Sequence, residues 1–312
     1  TTEIYTLSLH DALPISVRQR GVGMVQVQAN EISIEVEEFG DPGDPPVLLI
    51  AGLGAQMTVW RDDFCRRLAD RGHRVIRFDN RDVGLSTWFD NQPAGDLIAA
   101  LFTALEGGRV ESAYSLGDMA DDAVGVLDAL GIDSAHVYGW SLGGMVAQHV
   151  AIRHPQRVRS LTSSQSMPRF IPMPTEVALT LVPPEADPDD RDTLVAAGVE
   201  AARICAGTLL PFDDEDARRE IEDAIDRAWH PEGGIRQAVA ALADDDRTPG
   251  LRNVRVPTLV LHGTADPLIL PEGGQETADA IPGAELVWID GLGHEMPEAV
   301  WPLFLEIGRA HV

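Results

Sequence analysis

The chain has 312 residues, and its 24 Lys and Arg residues against 50 Asp and Glu residues leave a formal net charge of −26. A chain of this length buries a sufficient core on its own, and two cysteines form at most one bridge, which excludes a disulfide framework. So acidic a surface repels nucleic acid and anionic lipid, and no apolar run could span a bilayer, so we expect a cytoplasmic protein with neither nucleic acid nor a membrane as partner.

From residue 24 onwards, the hydrophobic pattern alternates between strand and helix. Period-two alternation on both sides of residues 29–31 predicts a hairpin, and the apolar run VLLIA at 47–51 predicts a buried strand. The later elements alternate strictly, with predicted helices at 60–71, 119–130, 142–154 and 275–281 and predicted strands at 74–78, 135–140, 158–163, 258–262 and 285–289. A last helix is expected from about residue 298. This alternation predicts an α/β fold, with a mostly parallel twisted sheet and helices on both faces.

The two ends of the chain differ from the rest. Residues 1–15 (TTEIYTLSLHDALPI) and 306–312 (EIGRAHV) resemble the in-frame translation of sequencing adapters. We therefore interpret them as a non-native leader and tail and leave them out of the prediction of the fold. Met24 precedes the first strand pattern and is a plausible native start.

One long segment interrupts the alternation. Residues 165–253 are rich in proline at first and then acidic and helical in pattern, and residues 165–250 hold 19 acidic residues against 8 arginines. Solvated helix faces explain most of these carboxylates. Because the segment is inserted between two strands, we predict a helical lid at 165–253 over the strand ends. The core is then formed by residues 24–164 and 254–305.

The strongest chemical signal is Gly139-Trp-Ser141-Leu-Gly143, which lies between a predicted strand and a predicted helix. A strand that turns this sharply into a helix strains the backbone of the central serine, and side chains two residues to either side would collide. Such a turn exposes the hydroxyl of Ser141 next to free N–H groups at the helix N-terminus. The pattern predicts a nucleophilic serine.

Two further residues complete a candidate triad in the chain order Ser, Asp, His that is expected for this kind of sheet. Asp266 follows the predicted strand 258–262, at the carboxyl end where α/β sheets place catalytic groups. His294 lies in a glycine-flanked loop after the next strand. The alternative position for the acid, after strand 158–163, holds no carboxylate, and His262 precedes the turn and is interpreted as structural.

These motifs resemble those of the α/β-hydrolases over most of the chain. The resemblance is carried by GWSLGG (139–144), DNRDVGLS (79–86), HGTADPL (262–268) and GLGH (291–294). Within that superfamily the chain is similar to the aclacinomycin methylesterase-like enzymes, on the segments RRLADRGHRVIRFDNRDVGLST (66–87) and PFDDEDARREIEDAIDRA (211–228). The resemblance implies Ser141 as the nucleophile, Asp266 as the acid and His294 as the base. The His-Gly that is frequent after the third strand of the superfamily is Ala51-Gly52 here, a departure that the methylesterase-like branch shares.

Attack on an ester carbonyl creates an oxyanion, for which we predict two backbone N–H donors, those of Leu142 and Leu53. The segment 52–54 is too short for a dinucleotide fingerprint, and no phosphate loop is present in the sequence, so we expect no cofactor and no metal. The predicted wall residues of the substrate pocket are Leu53, Trp140, Met145 and Leu268, and Trp140 and Met145 would suit the core equally well.

The expected function is hydrolysis of a carboxylic ester through an acyl-enzyme. We expect the substrate to be a neutral or cationic, largely apolar small molecule, with a methyl ester as one option, because the acidic insertion disfavours an anion. The same triad would also serve a cofactor-free haloperoxidase or perhydrolase, or a C–C bond hydrolase. A ligand-binding receptor on a hydrolase fold is a third interpretation, and the sequence leaves the oligomeric state open.

Overall fold

The computed structural model describes residues 3–5, 21–182 and 190–305 of the chain. Its strands are β1 (Glu3–Tyr5), β2 (Gly21–Ala29), β3 (Ile32–Phe39), β4 (Pro46–Ile50), β5 (Arg74–Phe78), β6 (Ala135–Trp140), β7 (Val158–Ser164), β8 (Thr258–Gly263) and β9 (Glu285–Ile289). In the described part of the chain they form one nine-stranded sheet in the order β1-β9-β8-β7-β6-β4-β5-β3-β2. The β2–β3 and β3–β5 pairs are antiparallel, and every other neighbouring pair is parallel.

The α-helices alternate with the strands along the chain and cover the sheet. They are α1 (Asp62–Ala69), α2 (Leu97–Leu105), α3 (Leu116–Ala129), α4 (Leu142–Arg153), α5 (Thr175–Ala178), α6 (Arg191–Cys205), α7 (Asp214–Arg227), α8 (Pro231–Leu242), α9 (Thr248–Leu251), α10 (Pro271–Ala280) and α11 (Trp301–Phe304). Within the described ranges, no helix has the length and apolar character needed to cross a bilayer.

Strand β4 illustrates why both faces of the sheet are covered. All five of its residues, PVLLI, are buried. Leu48 and Ile50 pack into one hydrophobic cluster with α3 and α4, whereas Val47 and Leu49 pack into a second cluster with α1 and α11. Successive side chains of a strand point to opposite faces, so a continuously apolar strand needs helices on both sides. The predicted α/β fold is confirmed.

Some elements differ from those expected from the sequence. The hairpin strands β2 and β3 are longer than predicted, and Asn30 and Glu31 between them have positive φ values of 46° and 68°, which suits the right-handed twist of the hairpin. The sequence pattern does not predict α2 or β1, which pairs in parallel with β9 at the sheet edge. Apart from β1, the adapter-like segments 1–15 and 306–312 lie outside the described residues, and their origin stays a prediction.

Between β7 and β8 the chain forms helices α5 to α9, where a lid is predicted at 165–253; residues 183–189 of this helical insertion lie outside the described ranges. Buried charges join the insertion to the loop after β5. Arg236 in α8 donates to both carboxylate oxygens of Asp82, at 2.8 and 2.9 Å, and Arg227 at the end of α7 lies 2.8 Å from Asp79. Both aspartates are fully buried, and a buried charge needs such a partner.

Candidate active site

Ser141 occupies the turn between β6 and α4, at the carboxyl end of a central strand. Its backbone has φ 59° and ψ −123°, a combination that is strained for a residue with a side chain. A Cβ at Gly139 would lie 2.0 Å from the carbonyl oxygen of Gly143, and a Cβ at Gly143 would lie 2.1 Å from that of Ile50. Only glycine fits at these two positions, which explains the Gly-x-Ser-x-Gly spacing.

The structure brings Ser141, Asp266 and His294 into one hydrogen-bonded chain. Ser141 Oγ lies 2.9 Å from His294 Nε2, and His294 Nδ1 lies 2.8 Å from Asp266 Oδ2. An imidazole that donates from Nδ1 to a carboxylate leaves Nε2 free to accept the serine proton. All three side chains are buried, so their mutual hydrogen bonds have little competition from water.

The backbone after β8 also holds Asp266. Its Oδ1 accepts from the N–H groups of Leu268 and Ile269, at 3.0 and 2.9 Å, which leaves Oδ2 for His294. His262 lies close, with Nε2 3.8 Å from Asp266 Oδ2, but this nitrogen is 2.8 Å from the carbonyl oxygen of Ile269. Burial lowers the pKa of His262, and its hydrogen bond to the backbone of Ile269 supports a structural role.

The loop that carries His294 is bound to the helical insertion through backbone atoms. The N–H of His294 donates to the carbonyl oxygen of Cys205 at 2.7 Å, and the carbonyl oxygen of Gly291 accepts from the N–H groups of Thr208 and Leu209 at 2.6 and 2.8 Å. We call residues 205–209, the last residue of α6 and the first part of its connection to α7, the strap. The strap therefore holds the backbone of the loop that carries His294.

The loop after β4 brings Leu53 next to the turn that carries Ser141 between β6 and α4, which we call the elbow. A Cβ at Gly52 would lie 3.2 Å from the Cβ of Ser141. Two side chains hold this loop in place: Asn80 Nδ2 donates to the carbonyl oxygen of Ala51 at 3.0 Å, and the N–H of Gly54 donates to Gln237 Oε1 at 2.8 Å. In the described part of the chain, the N–H groups of Leu53 and Leu142 have no acceptor. Two unpaired donors next to a nucleophile suit a developing oxyanion.

Two residues of the site, Trp140 and Gln165, form contacts that the sequence does not predict. The indole ring of Trp140 stacks on the imidazole of His294, with ring centroids 5.2 Å apart and planes 28° apart. Trp140 Nε1 donates to Gln165 Oε1 at 2.8 Å, and Gln165 Nε2 donates to the carbonyl oxygen of Gly293. The sequence signal for Gln165 is weak, because it marks only the place where the alternative acid would stand.

A cavity of about 690 Å³ lies between the core loops and the helical insertion. The core contributes residues 53–56 and 83–84, and the insertion contributes mainly apolar residues of α6, α7 and the start of α8. Leu53 lines the cavity and belongs to the loop after β4, so the cavity adjoins that loop beside Ser141. The helical insertion supplies most of the cavity wall, and Ser141, Asp266 and His294 are not among the lining residues.

Of the predicted wall residues, Leu53 lines this cavity, whereas Trp140, Met145 and Leu268 are not among its lining residues. Met145 is 4% exposed and packs in the hydrophobic core, because it lies one turn into α4 on the side that faces the sheet. Trp140 contacts His294 and Gln165 instead. Leu268 contributes its backbone N–H to Asp266. Most of the cavity wall comes from helices that are distant from Ser141 in the chain.

Fold and site together define a serine hydrolase built on an α/β sheet. The model of the alpha/beta hydrolase fold family matches residues 45–298. The chain is 31% identical over 294 residues to the rhodomycin D methylesterase DauP of Streptomyces sp. (strain C5), covering 88% of this chain and 93% of that protein. It is also 31% identical over 291 residues to the rhodomycin D methylesterase DnrP of Streptomyces peucetius, with coverages of 87% and 92%.

A solved structure supports the same fold. The meta-cleavage product hydrolase of Pseudomonas fluorescens IP01 superposes with a TM-score of 0.70 at 20% sequence identity, covering 92% of this chain and 98% of that one. The chain therefore belongs to the α/β-hydrolase fold family, and its resemblance to the aclacinomycin methylesterase-like enzymes is confirmed.

Proposed function

We propose that the protein is a carboxylic ester hydrolase that works through an acyl-enzyme on Ser141. The observation that carries this proposal is the chain of hydrogen bonds from Ser141 Oγ to His294 Nε2 at 2.9 Å and from His294 Nδ1 to Asp266 Oδ2 at 2.8 Å. Its support is the strained elbow that presents Ser141 and the two unpaired amides beside it. In this proposal Asp266 is the acid and His294 the base.

The first half of the reaction forms the acyl-enzyme. His294 Nε2 takes the proton of Ser141 while Oγ forms a bond to the ester carbonyl carbon, and Asp266 stabilises the resulting imidazolium. The carbonyl oxygen becomes an oxyanion that the N–H groups of Leu53 and Leu142 stabilise, each contributing about 3–4 kcal/mol to the transition state. When the C–O bond breaks, the leaving alcohol takes the proton from His294.

The second half releases the acid. A water molecule gives a proton to His294 Nε2 while its oxygen attacks the acyl carbon, and the oxyanion forms again at the same two amides. The bond to Ser141 Oγ then breaks, and Oγ recovers its proton from His294. Every proton and electron pair is accounted for by ester, water and the three side chains, so the proposal needs no cofactor.

The cavity supports an apolar, neutral or cationic substrate. Its described lining is mostly apolar and includes two carboxylates, Glu176 and Glu200, but no arginine. An anionic ester would find no counter-ion there and would meet a negative field on approach. The names of DauP and DnrP support a methyl ester as the bond that is cleaved.

We further propose that residues 165–253 act as a lid domain on a core of residues 24–164 and 254–305. The insertion lines the cavity and binds the core through the Asp82–Arg236 and Asp79–Arg227 pairs. A cover of this kind excludes water from the acyl-enzyme and strengthens the electrostatic contacts inside.

The test is labelling with a fluorophosphonate, followed by mapping of the modified peptide. We expect one modified residue, Ser141, and turnover on a panel of p-nitrophenyl esters, with a bromination assay on monochlorodimedone beside it. Ser163→Ala is a matched control, because Ser163 is also buried, at the end of the neighbouring strand β7. No labelling of Ser141, or bromination without ester cleavage, would contradict the proposal.

A further inference from the structure

Gln165 follows strand β7 directly and is completely buried. Its φ is 46°, which lies in the left-handed region that is unfavourable for a residue with a side chain. Such a conformation persists only where the surrounding contacts compensate for it, and it is concentrated at functional sites. One such contact is the N–H of Gln165, which donates to the carbonyl oxygen of Leu261 at 2.8 Å.

The carboxamide of Gln165 links the two halves of the site. Its Oε1 accepts from Trp140 Nε1 at 2.8 Å, and its Nε2 donates to the carbonyl oxygen of Gly293. Trp140 precedes Ser141 in the chain, and Gly293 precedes His294. An indole N–H can only donate and a carbonyl oxygen can only accept, so the two partners require a side chain with one acceptor and one donor at this spacing.

Through its hydrogen bond to Trp140, Gln165 also affects His294, because the indole of Trp140 contacts the imidazole. The two rings are stacked with centroids 5.2 Å apart, and the hydrogen bond to Gln165 holds the indole in that orientation. During the reaction His294 becomes an imidazolium, and an aromatic face stabilises a cation that lies against it. The same stack limits the rotation of the imidazole away from Ser141 Oγ.

We propose that Gln165 is a positioning residue for the nucleophile and the base. It holds the indole of Trp140 and the peptide of Gly293 so that His294 Nε2 stays within hydrogen-bond distance of Ser141 Oγ. Gln165 is completely buried, and its carboxamide contacts the residues that directly precede Ser141 and His294, so its loss should change the rate of the chemical step more than substrate binding. The inference rests on the proposed roles of Ser141 and His294.

The first test compares two buried glutamines. Gln148 in α4 is also completely buried and also has two side-chain partners, with Nε2 3.2 Å from Ser163 Oγ and Oε1 3.0 Å from Arg247 Nε. We expect Gln165→Met to lower kcat about 10- to 100-fold with KM nearly unchanged, because a small displacement of a catalytic group has an effect of this size. Gln148→Met is expected to lower the melting temperature but to leave kcat within about twofold.

The second test uses charge. Gln165→Glu keeps the shape of the side chain but places a carboxylate near His294, which raises the pKa of the imidazolium. The acid limb of the kcat/KM profile should therefore move to higher pH, whereas Gln148→Glu, beside Arg247, should leave the limb in place. In a double-mutant cycle, Trp140→Phe and Gln165→Met should be non-additive in kcat, because both remove the same hydrogen bond.

Two results would overturn the inference while Ser141 is still labelled by a fluorophosphonate. One is a Gln165→Met enzyme that loses stability and keeps the kcat of the unchanged protein. The other is a Gln165→Glu profile whose acid limb does not move. Absence of labelling at Ser141 in the unchanged protein would instead refute the proposed function, so the two failures are distinguishable.

Discussion

Arg236 in α8 and Asp82 in the loop after β5 form a bidentate ion pair. The side chains of Arg236 and Asp82 are 2% and 0% exposed. Asp82 has a left-handed backbone with φ 71°, and its Oδ1 also accepts from the N–H of Phe89 at 2.7 Å. The pair fixes the helical insertion to the core beside the cavity. Removal of the arginine would leave a carboxylate without a countercharge in the interior.

Arg236→Met is therefore expected to lower the free energy of unfolding by about 3–5 kcal/mol. Arg191→Met is the control, because Arg191 pairs with Asp226 at the surface and its loss should leave the urea midpoint almost unchanged. Urea unfolding monitored by circular dichroism measures both. Equal midpoints for the two variants would mean that the buried pair does not stabilise the fold.

The role of Ser141 predicts a loss of rate without a loss of fold. Ser141→Ala should lower esterase turnover by at least about three orders of magnitude, in line with the deletion of other triad residues. Its melting temperature should not fall, since the substitution removes one hydroxyl and leaves the elbow glycines in place. Purified Ser141→Ala protein with turnover near that of the unchanged chain would refute the assignment.

The acid can be distinguished from a second aspartate nearby. Asp266→Asn should lower kcat about 10⁴-fold, because an amide at this position favours the wrong tautomer of His294. Asp290 directly follows β9 and accepts from Thr264 Oγ1 at 3.1 Å, so Asp290→Asn should change kcat little. Steady-state kinetics of the two variants decide the ranking, and the reverse order would exclude Asp266 as the acid.

The charge around the cavity predicts substrate preference. A neutral methyl ester should have a higher kcat/KM than its carboxylate-bearing analogue at low salt. The ratio of the two kcat/KM values should fall at high salt, because salt screens the repulsion beyond a Debye length of about 8 Å at 0.15 M. Glu176→Gln combined with Glu200→Gln should lower the ratio as well, since both residues line the cavity. Glu222→Gln, which lies outside the lining in α7, is the control. A preference for the anionic analogue would contradict this prediction.

His136 in β6 predicts a loss of stability in acid. Burial, with a contribution from His73, lowers the pKa of His136 to about 4, whereas in an unfolded chain it is about 6.5. The unfolded state then binds the proton first, so the free energy of unfolding falls as the pH drops from about 6.5 to about 4. His136→Gln should reduce the change in the free energy of unfolding with pH, as measured by urea unfolding at pH 7, 5.5 and 4.5. If the variant keeps the same pH dependence of the free energy of unfolding, other titrating groups are responsible for it.

The sequence predicts those parts of the site that depend on neighbours in the chain. Gly139 and Gly143 allow the tight turn at Ser141, which lies two residues from each of them. Asp266 and His294 each follow a strand whose apolar run is visible in the sequence. The parallel order of the strands then brings these ends together at one edge of the sheet. Local steric requirements and strand ends therefore suffice to nominate the triad.

The rest depends on contacts between distant segments. Gln165 belongs to no motif, and its role becomes visible only when Trp140 and Gly293 are placed on either side of it. Met145 packs in the core, and much of the cavity wall comes from α7 and α8, which Arg227 and Arg236 join to the core. Neither hydrophobic periodicity nor turn chemistry encodes such pairings.

The strap, residues 205–209, links the backbone of His294 to the end of α6. Because the carbonyl oxygen of Cys205 accepts the N–H of His294, a motion that carried the end of α6 away from the sheet would also disturb the base. Such a motion would leave the triad incomplete and the serine a poor nucleophile. The position of the base therefore depends on α6, a helix that also lines the cavity.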